Sequence, residues 1–115
     1  MIYRKSDLET EIRPAMGGGN GELNITHIAD AADLADKSKL FAILELRPHC
    51  SVGYHVHEND TEIYHVLSGC ADYDDNGKKT VLREGDTAVC SAGTGHAVSN
   101  EGTEVCRILA LILNA

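Results

Sequence analysis

Short runs of alternating apolar and polar residues, each closed by a turn signal, recur along the chain. Residues 22–28 alternate, with Leu23, Ile25 and His27 on one side and Thr26 and Ile28 on the other. Residues 40–46 alternate and stop at Arg47-Pro48; runs around His55 and Tyr64 follow, then a Ser68-Gly69 turn and a strand over 70–73. Asp74-Asp75-Asn76-Gly77 carries an Asn-Gly pair, the strongest short-range hairpin signal, and 78–83 returns from it. Glu84-Gly85-Asp86 turns, 87–90 is a strand, 91–95 a loop and 96–100 a strand. After Glu101-Gly102 comes the last and most apolar run, 105–113. Strands punctuated by turns about every eight to twelve residues predict an all-β sandwich or barrel.

The first third is less regular. Residues 1–16 are polar and mixed, with Pro14 against any helix, and predict an N-terminal arm or an edge strand. Gly17-Gly18-Gly19-Asn20-Gly21 reads as a flexible loop; it lacks the lysine, hydroxyl residue and following helix of a phosphate loop. Residues 30–37 are rich in alanine and predict one helical turn with Asp30 as its N-cap. There is no internal repeat and no linker, and 115 residues make a single domain over 1–115: an arm and Gly-rich loop at 1–21, and a barrel core at 40–113.

Composition narrows the function classes. Hydrophobic residues are 43% and charged residues 24%, an ordinary globular balance. A net charge of −8 argues against nucleic acid or an anionic membrane as partner, since both need a basic face. No apolar run approaches the ~20 residues that span a bilayer, and the N-terminal stretch lacks the apolar core of a signal peptide. The expected location is cytoplasmic. The four cysteines, at 50, 70, 90 and 106, have no zinc-knuckle spacing and are expected to be free thiols. Cys50, just upstream of a histidine pair, and Cys106, on the last strand, are the candidates for a chemical role.

That histidine pair organises the chain. His55 and His57 are two apart on a strand, so both point to one side. After a polar turn, 58–60, the next strand can return Glu62 to the same point. His96, behind a glycine-rich turn, can add a fourth donor. Imidazoles with a carboxylate suit a divalent transition metal: Mn, Fe, Co, Ni, Cu or Zn. Four protein donors leave an octahedral ion two open positions.

The spacing resembles the cupin superfamily. Its first motif, G-x5-H-x-H-x4-E-x6-G, is matched by His55, His57, Glu62 and Gly69; its second, G-x5-P-x-G-x2-H-x3-N, by Gly85, Gly93, His96 and Asn100. Two positions depart. His49 stands where the first motif opens with a glycine in a turn of positive φ, a conformation histidine adopts at some cost. Ser91 replaces the proline of the second. The resemblance implies a cupin-type double-stranded β-helix, or jelly-roll barrel, with His55, His57, Glu62 and His96 as metal ligands. It does not imply one reaction, since the superfamily hosts isomerases, dioxygenases, decarboxylases, epimerases, storage proteins and sugar-binding regulators.

Strand alternation orders the surroundings. Tyr64 is in phase with Glu62 and is expected to line the pocket; Tyr73, Val98 and Leu111 are further pocket candidates. His65, out of phase, is expected outside, and His27 at a surface or edge. Glu58 and Asp60 are expected to be solvated, or to act as rim acids. The outer face of the last strand needs cover, which a homodimer packed sheet to sheet would supply. The function these readings support is a metal-binding protein that takes a small oxygen-donor ligand, a carboxylate or sugar derivative. The alternative is a metal-dependent dioxygenase, isomerase or decarboxylase acting on a chelating substrate.

Overall fold

The computed structural model describes residues 1–115. Ten strands build two antiparallel sheets. They are β1 (Thr10–Pro14), β2 (Glu22–His27), β3 (Ser38–Leu46), β4 (Ser51–His57), β5 (Asp60–Ser68), β6 (Cys70–Asp75), β7 (Lys78–Arg83), β8 (Thr87–Cys90), β9 (Thr94–Ser99) and β10 (Cys106–Asn114). One sheet runs β1-β2-β3-β10-β5-β8, the other β4-β9-β6-β7. This is the all-β, double-sheet architecture that the turn spacing predicts. The arm ends in β1, an edge strand that tolerates Pro14 because one side has no ladder.

The inner faces meet in one core. Leu23 and Ile25 of β2, Leu44 and Leu46 of β3, Val66 of β5 and Ile108 of β10 face Val52 of β4 and Val98 of β9. Along β2, β3, β5 and β10 the buried apolar residues fall at every second position, which puts the stripe on one side of the pleat. Leu109 and Leu111 alternate with the buried Ile108 and Ala110, so both lie on the outer face. Leu111 is therefore not a pocket residue. His65 is also outside and bonds Thr87 Oγ1 at 2.8 Å, while His27 pairs with Glu11 at 2.6 Å on the β1–β2 surface.

Several turns follow their residue chemistry. Asn76 and Gly77 both have positive φ, 51° and 96°, closing the β6–β7 hairpin as an Asn-Gly pair should. His49 adopts φ 67°, the conformation expected where it replaces glycine. The Asp33 N–H donates to Asp30 Oδ1 at 2.9 Å, so Asp30 does cap the turn that follows. β9 begins at Thr94, two residues before the expected strand, because Thr94 and Gly95 pair with His57 and Val56.

The region 17–21 departs from expectation. Rather than a free loop, Met16–Gly18 is a 3-10 turn packed backbone to backbone against β4. A Cβ at Gly19 would overlap the Ser51 carbonyl oxygen and lie 2.9 Å from Gly53 N. Only glycine lets the two chains approach so closely.

Asn100 closes the lower end of the barrel. It is 0% exposed, and its side-chain N–H groups donate to Leu46 O at 2.8 Å and Glu104 O at 2.7 Å. Its Oδ1 accepts the Gly102 N–H at 3.0 Å. The last residue of the second motif thus ties the end of β3 to the loop before β10 and has a structural part to play.

Candidate metal centre

A β-bulge aims the histidine pair. In the β4–β9 ladder Val52 pairs with Val98 and His55 with His96, leaving Gly53 and Tyr54 without partners of their own. The extra residue reverses the alternation along β4. Val52 faces the core, and so do His55 and His57; in an unbroken strand the two histidines would point outward. Gly53 is the sequence signal for this, since an isolated glycine in a strand often marks a bulge.

β5 returns Glu62 and β9 supplies His96. The four side chains place their ligand atoms within 4.8 Å of one another. His96 Nε2 lies 3.0 Å from His55 Nε2, 3.1 Å from His57 Nε2 and 3.0 Å from Glu62 Oε1. His57 Nε2 is 3.2 Å from the same Glu62 oxygen, and His55 Nε2 is 4.0 Å from it. An ion that binds nitrogen at about 2.1 Å sets right-angle neighbours about 3.0 Å apart. The four shorter separations have that value, so the donor set fits a small divalent ion.

The far side of each ring fixes its tautomer. His55 Nδ1–H donates to the Gly53 carbonyl at 2.8 Å, and His57 Nδ1–H donates to Asp60 Oδ1 at 2.6 Å. Both partners are acceptors only, so in the neutral form of each ring Nε2 keeps its lone pair. His96 Nδ1 meets the Tyr73 hydroxyl at 2.8 Å, which can accept from it in the same way. Lone pairs from three imidazoles and a carboxylate then converge on one point, an arrangement that calls for a cation. Partners on the outer nitrogen are also how ligating histidines are generally held.

Asp60 is not the solvated rim acid expected from its place in a polar turn. It is pinned between His57 and Lys39, whose Nζ is 2.7 Å from Asp60 Oδ2. Burial pushes its pKa up, but Lys39 and His57 outweigh this and hold it below the ordinary carboxylate value. Glu62 follows the same logic: burial raises it, and the imidazoles of His55 and His96 bring it below the usual range. The Glu62 carboxylate in turn raises the His55 pKa against the opposing effect of burial. Glu58, by contrast, is exposed.

Aromatic rings pack behind the cluster. Tyr64 stacks on His96 with centroids 5.0 Å apart and planes at 27°. Burial and the nearby Glu62 charge raise its pKa well above the ordinary phenol value. Tyr73 is raised too, chiefly by burial. Neither Cys50 nor Cys106 reaches the cluster. Cys106 lies in the hydrophobic core and pairs with Leu46, and burial pushes its thiol up to about 11. The cysteine beside the site is Cys90, 2% exposed and paired across the ladder with Glu62. Nothing in its local sequence marks it; the β5–β8 register does. A groove of about 660 Å³ lies elsewhere, on the outer face of the four-stranded sheet beside Gly19, Ser51 and Asp72.

Two antiparallel sheets enclosing a three-histidine, one-glutamate cluster define a β-barrel of the kind that can hold a metal ion. The family model described as "Cupin domain" matches residues 42–112, and the chain belongs to the cupin family. A curated relative, "Oxalate-binding protein" of Thermotoga maritima, is 35% identical over 113 residues, covering 98% of this chain and 93% of that protein. A crystal structure from Thermotoga maritima, described as a predicted oxalate decarboxylase, superposes with a TM-score of 0.94 at 35% identity and covers 100% of both chains. A sugar phosphate isomerase from Silicibacter pomeroyi has a TM-score of 0.79 at 19% identity, covering 100% of this chain and 76% of that one; at that identity the likeness carries the fold alone. No helix is long and apolar enough to cross a membrane.

Proposed function

We propose that this protein binds a small dicarboxylate, oxalate or a close analogue, on a divalent transition-metal ion held by His55, His57, Glu62 and His96. The observation that carries the metal reading is the convergence of lone pairs at 3.0–3.2 Å with every outer ring nitrogen already engaged. The oxalate reading is supported by the relative of that name, which is similar over 98% of this chain. The donor set suits Mn, Fe, Co, Ni, Cu or Zn; when bound, the ion supplies the positive charge that an anionic chelate needs in a chain of net charge −8. The chain's own residues do the rest. Gly53, Asp60 and Tyr73 hold the three rings, and Tyr64, Tyr73 and Val98 wall the inner side of the pocket.

A second reading, a metal-dependent enzyme such as a decarboxylase, dioxygenase or isomerase, is favoured by the description of the similar Thermotoga maritima structure. Against it, the titratable groups nearest the ligands are poor proton carriers near neutrality. Tyr64, Tyr73 and Cys90 all have raised pKa values, chiefly through burial, and Asp60 is engaged on both oxygens. Calorimetric titration of metal-loaded protein with oxalate, with carbon dioxide release followed in parallel under air, separates the readings. Saturable binding without gas release supports the binder. Release abolished by Glu62→Ala supports the enzyme. Neither heat nor gas rejects oxalate.

The same proposal includes a homodimer and a cytoplasmic setting. Phe41, Ile43, Ile63, Leu109 and Leu111 are neighbours on the outer face of the six-stranded sheet and half-buried, with Val89 52% exposed beside them. A second copy packed on this face would cover it, and sedimentation of wild type against Leu109→Glu tests that. The four free cysteines accord with a reducing compartment.

A further inference from the structure

The glycine run at 17–19 is a sequence feature that the metal chemistry leaves unexplained, yet it touches the metal centre through a single intermediary. His55 is the most exposed of the four candidate ligands: its side chain is 29% exposed, against 8% for His57, 5% for Glu62 and 2% for His96. Packing therefore holds it least, and its orientation rests on the bond from Nδ1–H to the Gly53 carbonyl. That carbonyl belongs to the bulge, where Gly53 has no ladder partner on β9. β4 is also the edge of its sheet, so no strand restrains its other side.

The glycine segment fills that place. A Cβ on Gly53 would overlap the Gly17 carbonyl oxygen, and one on Gly17, which has φ +62°, would lie 3.0 Å from Gly53 O. A Cβ on Gly19 would overlap Ser51 O. The contact is clamped next door: Ser51 N–H donates to Asn20 O at 2.9 Å, and Asn20 N–H donates to Ser51 Oγ at 2.8 Å. We infer that Gly17–Gly19 is a positioning strap of the metal centre, holding the bulge so that the Gly53 carbonyl orients His55. This rests on the metal reading above. The strap touches no ion and no ligand; it acts through one backbone oxygen.

Competition titration of metal-free protein with Co(II) against a chelating dye tests it. Gly19→Ala is expected to weaken Co(II) binding about tenfold or more, the lower range for losing an outer partner of a ligand. In a His55→Ala background the same substitution should cost nothing further. Gly85→Ala, in the turn between β7 and β8, places its methyl in open space at φ +87° and should lower stability while leaving affinity near wild type. Ser51→Ala removes only the side-chain half of the clamp and carries the test if Gly19→Ala does not fold; it should give a smaller loss that again vanishes without His55. Affinity unchanged in folded Gly19→Ala or in Ser51→Ala overturns the inference alone, as does an equal loss with and without His55. Wild-type protein that takes up no Co(II) overturns the metal reading, and the strap with it.

Discussion

Toward its two ends, β9 carries two buried polar clusters that solve opposite problems. Past its C-terminal end, Asn100 is 0% exposed, and every polar contact is answered from the chain itself: two carbonyls accept, one N–H donates. Toward its N-terminal end, His96 is 1% exposed and sits among His55, His57 and Glu62 with its Nε2 facing only other acceptors. Burying unanswered polar groups costs about 1–3 kcal/mol each. One cluster is complete without a guest and serves the fold. The other is complete only when a cation arrives, and serves function. His96 and Asn100, the last two residues that the second motif specifies, therefore have unlike meanings although only three residues lie between them.

The sharpest way to break this contrast is to remove one member from each cluster. Glu62→Ala takes away the only charged donor and should weaken divalent-metal binding by more than about 100-fold, since even outer partners are worth 10–100-fold; competition titration reads it, with the fold retained by circular dichroism. Asn100→Ala should do the reverse. It strands three backbone groups and should cost about 3 kcal/mol in urea unfolding, while folded protein keeps its metal affinity. If Asn100→Ala also abolished metal binding, the two clusters would be one system and the contrast would fail.

Smaller changes sharpen it. Asp60→Ala leaves His57 Nδ1–H without an acceptor and should lower affinity about 10–100-fold, with Asp60→Asn intermediate because an amide oxygen can still accept. The effect of pH on stability is read on the metal-free protein. His55 has a raised pKa in the fold, so its contribution is fully present below the unfolded imidazole value and is lost as pH rises through the folded one. Glu62 has a lowered pKa, so its contribution is present above the unfolded carboxylate value and is lost as pH falls through the folded one. Thermal melts of metal-free protein should thus weaken at both ends of that window, and His55→Ala should flatten the upper limb. The Asn100 cluster holds no titratable side chain and adds no such dependence.

Much of this was legible before any coordinates. The spacing of His55, His57, Glu62 and His96 foretells their convergence, and turn signals place the strands to within a residue or two. His49 in a glycine's place announces a positive φ. What local pattern cannot carry is whatever depends on a distant chain segment. Asp60 looks like a solvated turn residue until Lys39, on another strand, is found beside it. Cys90 looks like any buried thiol until register sets it against Glu62. Leu111 looks like a pocket residue until the phase of β10 is known. The glycine run looks like slack chain until β4 is seen pressed against it. The bulge is the instructive case: Gly53 was a visible hint, but only the β4–β9 pairing shows that the extra residue turns both histidines inward.

The central claim is that four convergent donors hold one cation. The most direct test is elemental analysis of metal-reloaded, exhaustively dialysed wild-type and Glu62→Ala proteins. The account predicts one divalent transition-metal ion per wild-type chain and almost none in the variant. A wild-type chain that returns from dialysis empty, or a variant that retains its ion, would contradict it.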